Sequence, residues 1–115
     1  MSPQETSILE RLFGAGVAEH FDTNIRLIVL PVVPLPTGCK PPIVTGMYVP
    51  QSFMGYDTRL FFEAPITLAS GAQPAVTTAV LLGRTMYAAS IRGIPMTLPL
   101  HQGILAHLRR YELAS

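Results

Sequence analysis

Charged side chains are scarce in this sequence, since only 13% of its 115 residues are charged whereas 49% are hydrophobic. A typical folded domain carries about 25% charged residues, which cover much of the surface that faces water. The scarcity excludes a densely charged surface, and it favours a protein whose surface is partly covered by like subunits, by a partner or by a ligand. The length fits a single domain over residues 1–115.

Cysteine is nearly absent, and the one thiol, Cys39, excludes an internal disulfide framework and is compatible with a reducing compartment. The N-terminal residues include an acid where a secretory signal would be basic. Residues 64–83 form the longest uncharged run, but prolines and threonines interrupt it, which is poor composition for a membrane-spanning helix. We therefore expect a soluble, cytoplasmic protein with no membrane span.

Several motifs of catalysis and ligand binding are missing from the sequence. It has no glycine-rich loop for phosphates, no histidine pair of the zinc-protease type and no nucleophilic serine elbow. Its net charge of +1 does not favour nucleic-acid binding. His101 and His107 are six positions apart and fall on different faces of a helix, so we expect no metal site and no cofactor.

Two helices have clear signals at their starts. Ser2, Pro3 and Glu5 fit a capping box, and apolar residues recur after them at helical spacing up to Gly14. Pro99 suits the start of a last helix, because its fixed backbone angle is compatible with a first turn and apolar residues follow at spacings of three and four. The sequence therefore predicts one helix at each end of the chain.

Strands are predicted over residues 24–33, 43–49 and 58–68, with a short fourth strand over 94–98. The first is a continuous apolar run, which indicates a strand covered on both faces. Residues 75–91 predict a long central helix that is apolar nearly all round. The sequence thus predicts an α+β fold, in which a small, mostly antiparallel sheet of three to four strands is packed by an N-terminal helix, a long central helix and a short C-terminal helix.

Two segments are candidates for a surface that a partner covers. The predicted central helix has small residues spaced by four, which let another backbone approach closely. The loop over residues 50–57 is long and aromatic, and its residue types are enriched in interfaces. Both segments equally suit the core of a single chain. The interface residues predicted from them are Phe53, Met54, Tyr56, Ala75, Ala79 and Gly83.

No acidic residue lies between Glu63 and Glu112, although four arginines fall in that interval. On the predicted central helix, Arg84 and Arg92 are about two turns apart, and Tyr87 lies one turn from Arg84. Arginine binds anions through planar pairs of donors, so these three residues are candidates to hold a small anionic ligand. The alternative is that the arginines mark the solvent side of the helix while the tyrosine lies in the core.

Groups for nucleophilic or proton-transfer chemistry are few. Cys39 lies beside Lys40, whose charge favours the thiolate, but nucleophilic catalysis also needs a base. His20 or His101 is the candidate proton carrier near neutral pH. The sequence thus favours an oligomer-forming structural or interaction protein. The alternative is a small oligomeric enzyme or ligand-binding protein that acts on a small anionic molecule in an apolar pocket between subunits.

Overall fold

A computed structural model describes residues 1–115 and has one helix at each end of the chain, with six strands between them. The elements are α1 (Pro3–Phe13), β1 (Ala18–Asp22), β2 (Ile25–Pro34), β3 (Ile43–Val49), β4 (Arg59–Phe62), β5 (Val76–Leu81), β6 (Arg84–Ala89) and α2 (Leu100–Ala114). The strands form one antiparallel sheet in the order β1-β2-β3-β4-β6-β5. The first four strands therefore make a meander, and the last two form a hairpin whose second strand lies beside β4.

The start of α1 is fixed by the predicted capping box, which the structure confirms. The Ser2 hydroxyl accepts a hydrogen bond from the Glu5 backbone N–H at 3.1 Å. The Glu5 carboxylate accepts one from the Ser2 backbone N–H at 2.8 Å. Both bonds satisfy donors that a helix start otherwise leaves without partners. The helix ends at Phe13, is capped by Gly14, and buries Leu9 and Phe13 in the core.

The sheet is buried on both faces, as the continuous apolar run in β2 predicted. Successive side chains of a strand point to opposite faces, so Ile28 and Leu30 join the cluster that contains the two helices, while Leu27 joins a second cluster. The second cluster lies on the face away from the helices. Its buried members are Leu27, Met47, Val49, Phe61, Leu81, Met86 and Ala88.

The second cluster is closed by the sheet itself and by one loop. The Leu82 backbone N–H, at the tip of the β5–β6 hairpin, donates to the Asp22 carboxylate at the end of β1 over 2.7 Å. Because β1 and β5 are the two edge strands, this bond brings the two edges of the sheet close together. The sheet therefore curls around the second cluster. Phe53, from the loop between β3 and β4, packs edge-on against Phe61 with ring centroids 5.9 Å apart. The face without helices is thus shielded from water.

The prediction of a central helix over residues 75–91 is wrong, because this segment forms the β5–β6 hairpin. Leu82 and Gly83 both have positive φ, 51° and 75°, which is the geometry of a two-residue turn between antiparallel strands. Val76 and Val80, two apolar residues of the predicted helix, are four residues apart. Residues four apart share a face in a strand as well as in a helix, so this spacing does not separate the two structures.

The predicted sheet of three to four strands is also wrong in number. Strand β1 was not predicted, because it is a polar strand at the edge of the sheet. Residues 94–98 form no strand, and the strand predicted over 58–68 is limited to Arg59–Phe62. What the structure confirms is a mixture of helices with a sheet whose strands pair in antiparallel fashion.

Helix α2 follows Pro99, as predicted, although with 15 residues it is the longer of the two helices and not a short one. Gly103 lets α2 pack closely on the sheet, since a Cβ atom there would overlap the Tyr48 hydroxyl. The buried face of α2 also carries Ile104, His107 and Tyr111. Neither α1 nor α2 has the length and hydropathy that a membrane-crossing helix needs.

Candidate functional site

The predicted anion clamp of Arg84, Tyr87 and Arg92 does not form. Arg84 and Tyr87 lie on opposite faces of β6, because side chains three positions apart alternate in a strand. Arg84 instead pairs with Glu63, with nitrogen and oxygen 2.9 Å apart. Arg92 lies beyond the end of β6. The clamp was derived from helical geometry and is therefore not assembled by the hairpin.

The candidates for catalysis are not brought together. Cys39 is buried, and its sulfur lies 3.8 Å from the Ser115 hydroxyl, just after the end of α2. His101 lies in the first turn of α2, about 20 Å away along the helix at its ordinary rise per residue. His20 is exposed on β1. No group of three or more metal-ligating side chains is arranged to hold a metal ion.

The three small residues predicted to form one helix face are separated. Ala79 packs against the second cluster, and Gly83 lies in the hairpin turn. Ala75 precedes β5 and lines a cavity. They share no surface, because the helix that would align them is absent.

The three predicted loop residues also have different surroundings. Phe53 packs on Phe61 within the chain, whereas Met54 is 48% exposed at the tip of the loop. The Tyr56 ring covers the guanidinium of Arg59, whose central carbon lies 3.9 Å from the ring centroid. This contact connects the loop to Arg59, the first residue of β4.

Arg59 is a buried arginine without a carboxylate partner. It is the first residue of β4, and only 1% of its surface is exposed. Its Nη2 atom donates to the Thr77 hydroxyl at 3.1 Å and to the carbonyl oxygens of Ala88 and Ala89 at 3.3 Å each. Its Nη1 atom is buried and has no hydrogen-bond partner. A buried donor of a charged group is expensive to leave unpaired, so this atom calls for an explanation.

A second guanidinium shares the same tyrosine ring. The central carbon of Arg92 lies 4.6 Å from the Tyr56 ring centroid, and its Nη1 atom is 3.5 Å from the carbonyl oxygen of Gly55. Tyr56 thus contacts both Arg59 and Arg92. The negative face of an aromatic ring attracts each cation, but it does not neutralise either charge.

A cavity of about 370 Å³ lies next to this stack. Arg110 of α2 lines it, and a Cβ atom on Gly93 would lie 3.9 Å from Nη2 of Arg110, which places this third guanidinium beside the segment that carries Arg92. Ala89 belongs to both features, because it lines the cavity and its carbonyl accepts from Arg59. The other lining residues are Leu68, Pro74, Ala75, Ser90, Ile91, Tyr111 and Ala114.

Arg59, Arg92 and Arg110 form no ion pair. Asp57, two residues before Arg59 in the chain, pairs with none of them. The side-chain ion pairs of the structure are Arg26–Glu19, Arg84–Glu63 and Arg109–Glu112. We call these three guanidiniums without a carboxylate partner, together with Tyr56, Ser90 and Tyr111, the arginine site.

The positive charges of the arginine site contribute to the pKa shifts of neighbouring groups. Burial, together with the charges of Arg59 and Arg110, lowers the pKa of His107 to about 4. Burial also lowers the pKa of Arg59 itself, and the charge of Arg92 acts in the same direction. A hydrogen bond with Ser90 lowers the pKa of Tyr56, and both adjacent arginines add to this effect. An anion bound here would relieve repulsion between like charges.

A second polar group, Thr58 with His107, is structural in its geometry. The Thr58 hydroxyl lies 2.9 Å from the carbonyl oxygen of Ile94 and 2.9 Å from Nε2 of His107. The carbonyl can only accept, so it takes the single hydroxyl proton, and Nε2 carries a proton that it donates to Thr58. His107 therefore does not act as a base toward this hydroxyl. None of the cavities is lined by either residue.

The sequence reasoning missed two of the three arginines of this site. Arg59 is the one charge in the apolar strand β4, which is an unusual place for an arginine and was the available signal. Arg110 is one of the four arginines in the interval without acids, and nothing in the sequence separates it from its neighbour Arg109. The absence of acids between Glu63 and Glu112 predicted a positively charged region, but it did not identify which arginines lie near one another.

Comparison with known proteins adds no assignment, because the chain matches no family model, no curated protein and no solved structure. The geometry of the arginine site is therefore the basis of the functional proposal.

The pKa of His107 makes stability depend on pH. Unfolded, this histidine takes up a proton near its ordinary pKa of 6.5, whereas in the folded protein it does so only near pH 4. The unfolded state therefore binds more protons between these values, and the free energy of unfolding falls as the pH decreases from 6.5 to 4. The loss between pH 7.5 and 4.5 should be about 2–3 kcal/mol.

Urea unfolding of the wild type and of His107→Gln at both pH values measures this contribution. The glutamine retains a donor for Thr58 but does not titrate, and His20 and His101 remain in both proteins. The wild type should lose about 2–3 kcal/mol more than the variant on acidification. An equal loss in both proteins would show that His107 takes up its proton equally readily in the folded and unfolded states.

Proposed function

We propose that this protein binds a small anionic molecule with an apolar body at the arginine site. The observation that carries the proposal is a mostly apolar cavity lined by Arg110, close in the fold to two further arginines, Arg59 and Arg92, that also have no carboxylate partner. Ordinary surface arginines either pair with acids or are widely spaced in water, as Arg84 and Arg109 pair here. Like charges held together without a counterion are stabilised by an anion that bridges them.

The cavity supports a ligand with an apolar part. Its volume of about 370 Å³ is within the usual range for small-molecule sites, about 300–1,000 Å³. Leu68, Pro74, Ile91 and Ala114 give it mostly hydrophobic walls, while Arg110 provides charge. Apolar walls with a few polar groups are typical of sites that orient an amphipathic ligand.

Binding is better supported than catalysis. A general acid or base works best when its pKa lies near the working pH. Tyr111 lines the cavity, but burial raises its pKa to about 12. Cys39, His20 and His101 lie away from one another, and Cys39 has a hydroxyl and not a base as its polar contact. The alternative of an enzyme therefore lacks an assembled acid–base pair in this site.

Self-association is a second proposal, and exposed apolar side chains at both edges of the sheet favour it. Phe21 on β1 and Val80 on β5 are each 69% exposed. Strand β5 carries no charged residue and lies at an edge of the sheet, where its outer backbone groups have no strand partner. Such an edge readily pairs with another strand unless charges protect it.

Binding of the fluorescent anion 8-anilinonaphthalene-1-sulfonate tests the first proposal. The wild type should show saturable binding, and Arg110→Ala should weaken it by about tenfold, since a charged hydrogen bond contributes about 1.5–3 kcal/mol. Arg109→Ala is the matched control, because Arg109 is the neighbouring residue, is exposed and pairs with Glu112 away from the cavity. Equal affinities of the two variants, or no saturable binding by the wild type, would contradict the proposal.

Light scattering at micromolar concentration tests self-association. The wild type should have at least the mass of a dimer, and Val80→Lys should be monomeric, because a lysine on an edge strand prevents pairing. Thr85→Lys is a suitable control, since Thr85 is exposed on the neighbouring strand β6, away from the edge. A monomeric wild type would contradict this second proposal and leave the ligand proposal unaffected.

A further inference from the structure

Strand β5 is an edge of the sheet that no charged residue protects. The other edge strand, β1, carries the acids Glu19 and Asp22. Charged side chains and prolines on an edge strand oppose pairing with another chain, and β5 has neither. Its residues Val76, Thr78 and Val80 are all exposed. Of the two edges, β5 is therefore the one suited to accept a further strand.

The hairpin turn determines which backbone groups of β5 point outward. Leu81 and Arg84 flank the two-residue turn and lie opposite each other, so the hydrogen bond of the turn joins them. Bonded and non-bonded pairs alternate along an antiparallel ladder. Counting back from Leu81, every second residue of β5 therefore bonds to β6. The backbone N–H and C=O groups of Val76, Thr78 and Val80 point to the free side of the strand.

The three outward-pointing residues read the same in both directions. Val76 and Val80 each lie two positions from Thr78. A two-fold axis through Thr78 therefore sets Val76 opposite the second valine of another copy, and sets Thr78 opposite its own equivalent. Pairs of β-branched residues and pairs of threonines are favourable across antiparallel strands. This self-complementarity identifies the partner as a second copy of the chain.

The residues at the two ends of β5 exclude the neighbouring registers. A shift by two residues in one direction would bring Pro74 into the bonded row, and proline has no N–H to donate. A shift in the other direction would bring in Leu82, whose N–H already donates to the Asp22 carboxylate. The register centred on Thr78 uses every outward-pointing residue of the strand. It forms about six hydrogen bonds between the two backbones, because each bonded pair exchanges two.

We propose that two copies of this chain pair through β5 in antiparallel fashion, about a two-fold axis at Thr78, so that their sheets become continuous. This inference rests on the proposed self-association and specifies its surface, register and symmetry. Pairing gives partners to the outward backbone groups and covers the exposed valines of both edges. It also occupies the β5 edge of each copy, so association through this strand ends at two subunits.

Disulfide trapping in a glutathione redox buffer tests the axis. The two equivalent Cα atoms of Thr78→Cys should be about 5.5 Å apart, a separation that a disulfide spans. Those of Val80→Cys should be about 13 Å apart along the strand, beyond the reach of a disulfide. Thr78→Cys should therefore form a linked dimer at least about tenfold faster than Val80→Cys. Cys39 is buried and remains in every variant, and the wild type measures its contribution.

A mixture of two variants tests the register independently. Positions 76 and 80 lie opposite each other in the proposed dimer, so Val76→Cys and Val80→Cys are complementary. Their mixture should form a linked dimer at least about tenfold faster than either variant alone. Each variant alone serves as the matched control, because it has the same kind of substitution on the same exposed strand.

The outcomes separate this inference from the self-association on which it rests. If the wild type is monomeric in light scattering, self-association is wrong and this inference falls with it. If the wild type associates but Thr78→Cys is linked no faster than Val80→Cys, the copies meet elsewhere and the inference alone is overturned. Faster linking in a mixture of Thr78→Cys with Val80→Cys than in Thr78→Cys alone overturns the register, since it shows a shift by two residues.

Discussion

Strand β4 is the constraint on which both cores and the arginine site depend, because all four of its residues are buried. Leu60 and Phe62 point to the face that carries the helices, whereas Arg59 and Phe61 point to the opposite face. A strand with both faces covered is expected to be apolar throughout. An arginine in this position is therefore held by the register of the sheet, in which Arg59 lies opposite Val49.

Hydrogen bonds from the buried Arg59 hold the chain where it leaves the β5–β6 hairpin. Its Nη2 atom binds the last two carbonyls of β6, and these bonds fix the direction in which residues 90–93 continue. That segment carries Arg92, and Gly93 lies close to Arg110 of α2. One strand, one hairpin end and one helix thus place the three arginines along the same short segment, residues 89–93. The site is a consequence of the same packing that closes the sheet.

Parts of this fold could be predicted because they depend on neighbouring residues. The capping box of α1 and the start of α2 near Pro99 are local signals, and the apolar run of β2 indicated a strand buried on both faces. The central helix was wrong because apolar residues spaced by four satisfy both a helix and a strand. The deciding signals were the β-branched residues from Val76 and the glycine at the turn, Gly83.

The site was less accessible to sequence reasoning, for a physical reason. A shortage of acids among arginines indicated an anion site, but which arginines meet depends on the pairing of strands that are distant in sequence. Arg84 is neutralised by Glu63, a residue of the chain just after β4. Arg59 contributes through bonds to residues about 30 positions away. Tyr56 was predicted as an interface residue, and in the structure its ring contacts the guanidiniums of Arg59 and Arg92.

The central claim is that unpaired positive charge beside an apolar cavity binds an amphipathic anion, and one comparison of two ligands tests it most directly. Octanoate and octan-1-ol share the same chain length and differ in the charged group, so calorimetric titration of each into the unaltered protein isolates the contribution of the charge. The account predicts that octanoate binds at least about tenfold more tightly, as expected for charged hydrogen bonds to arginine. Equal affinities for the two ligands would contradict it.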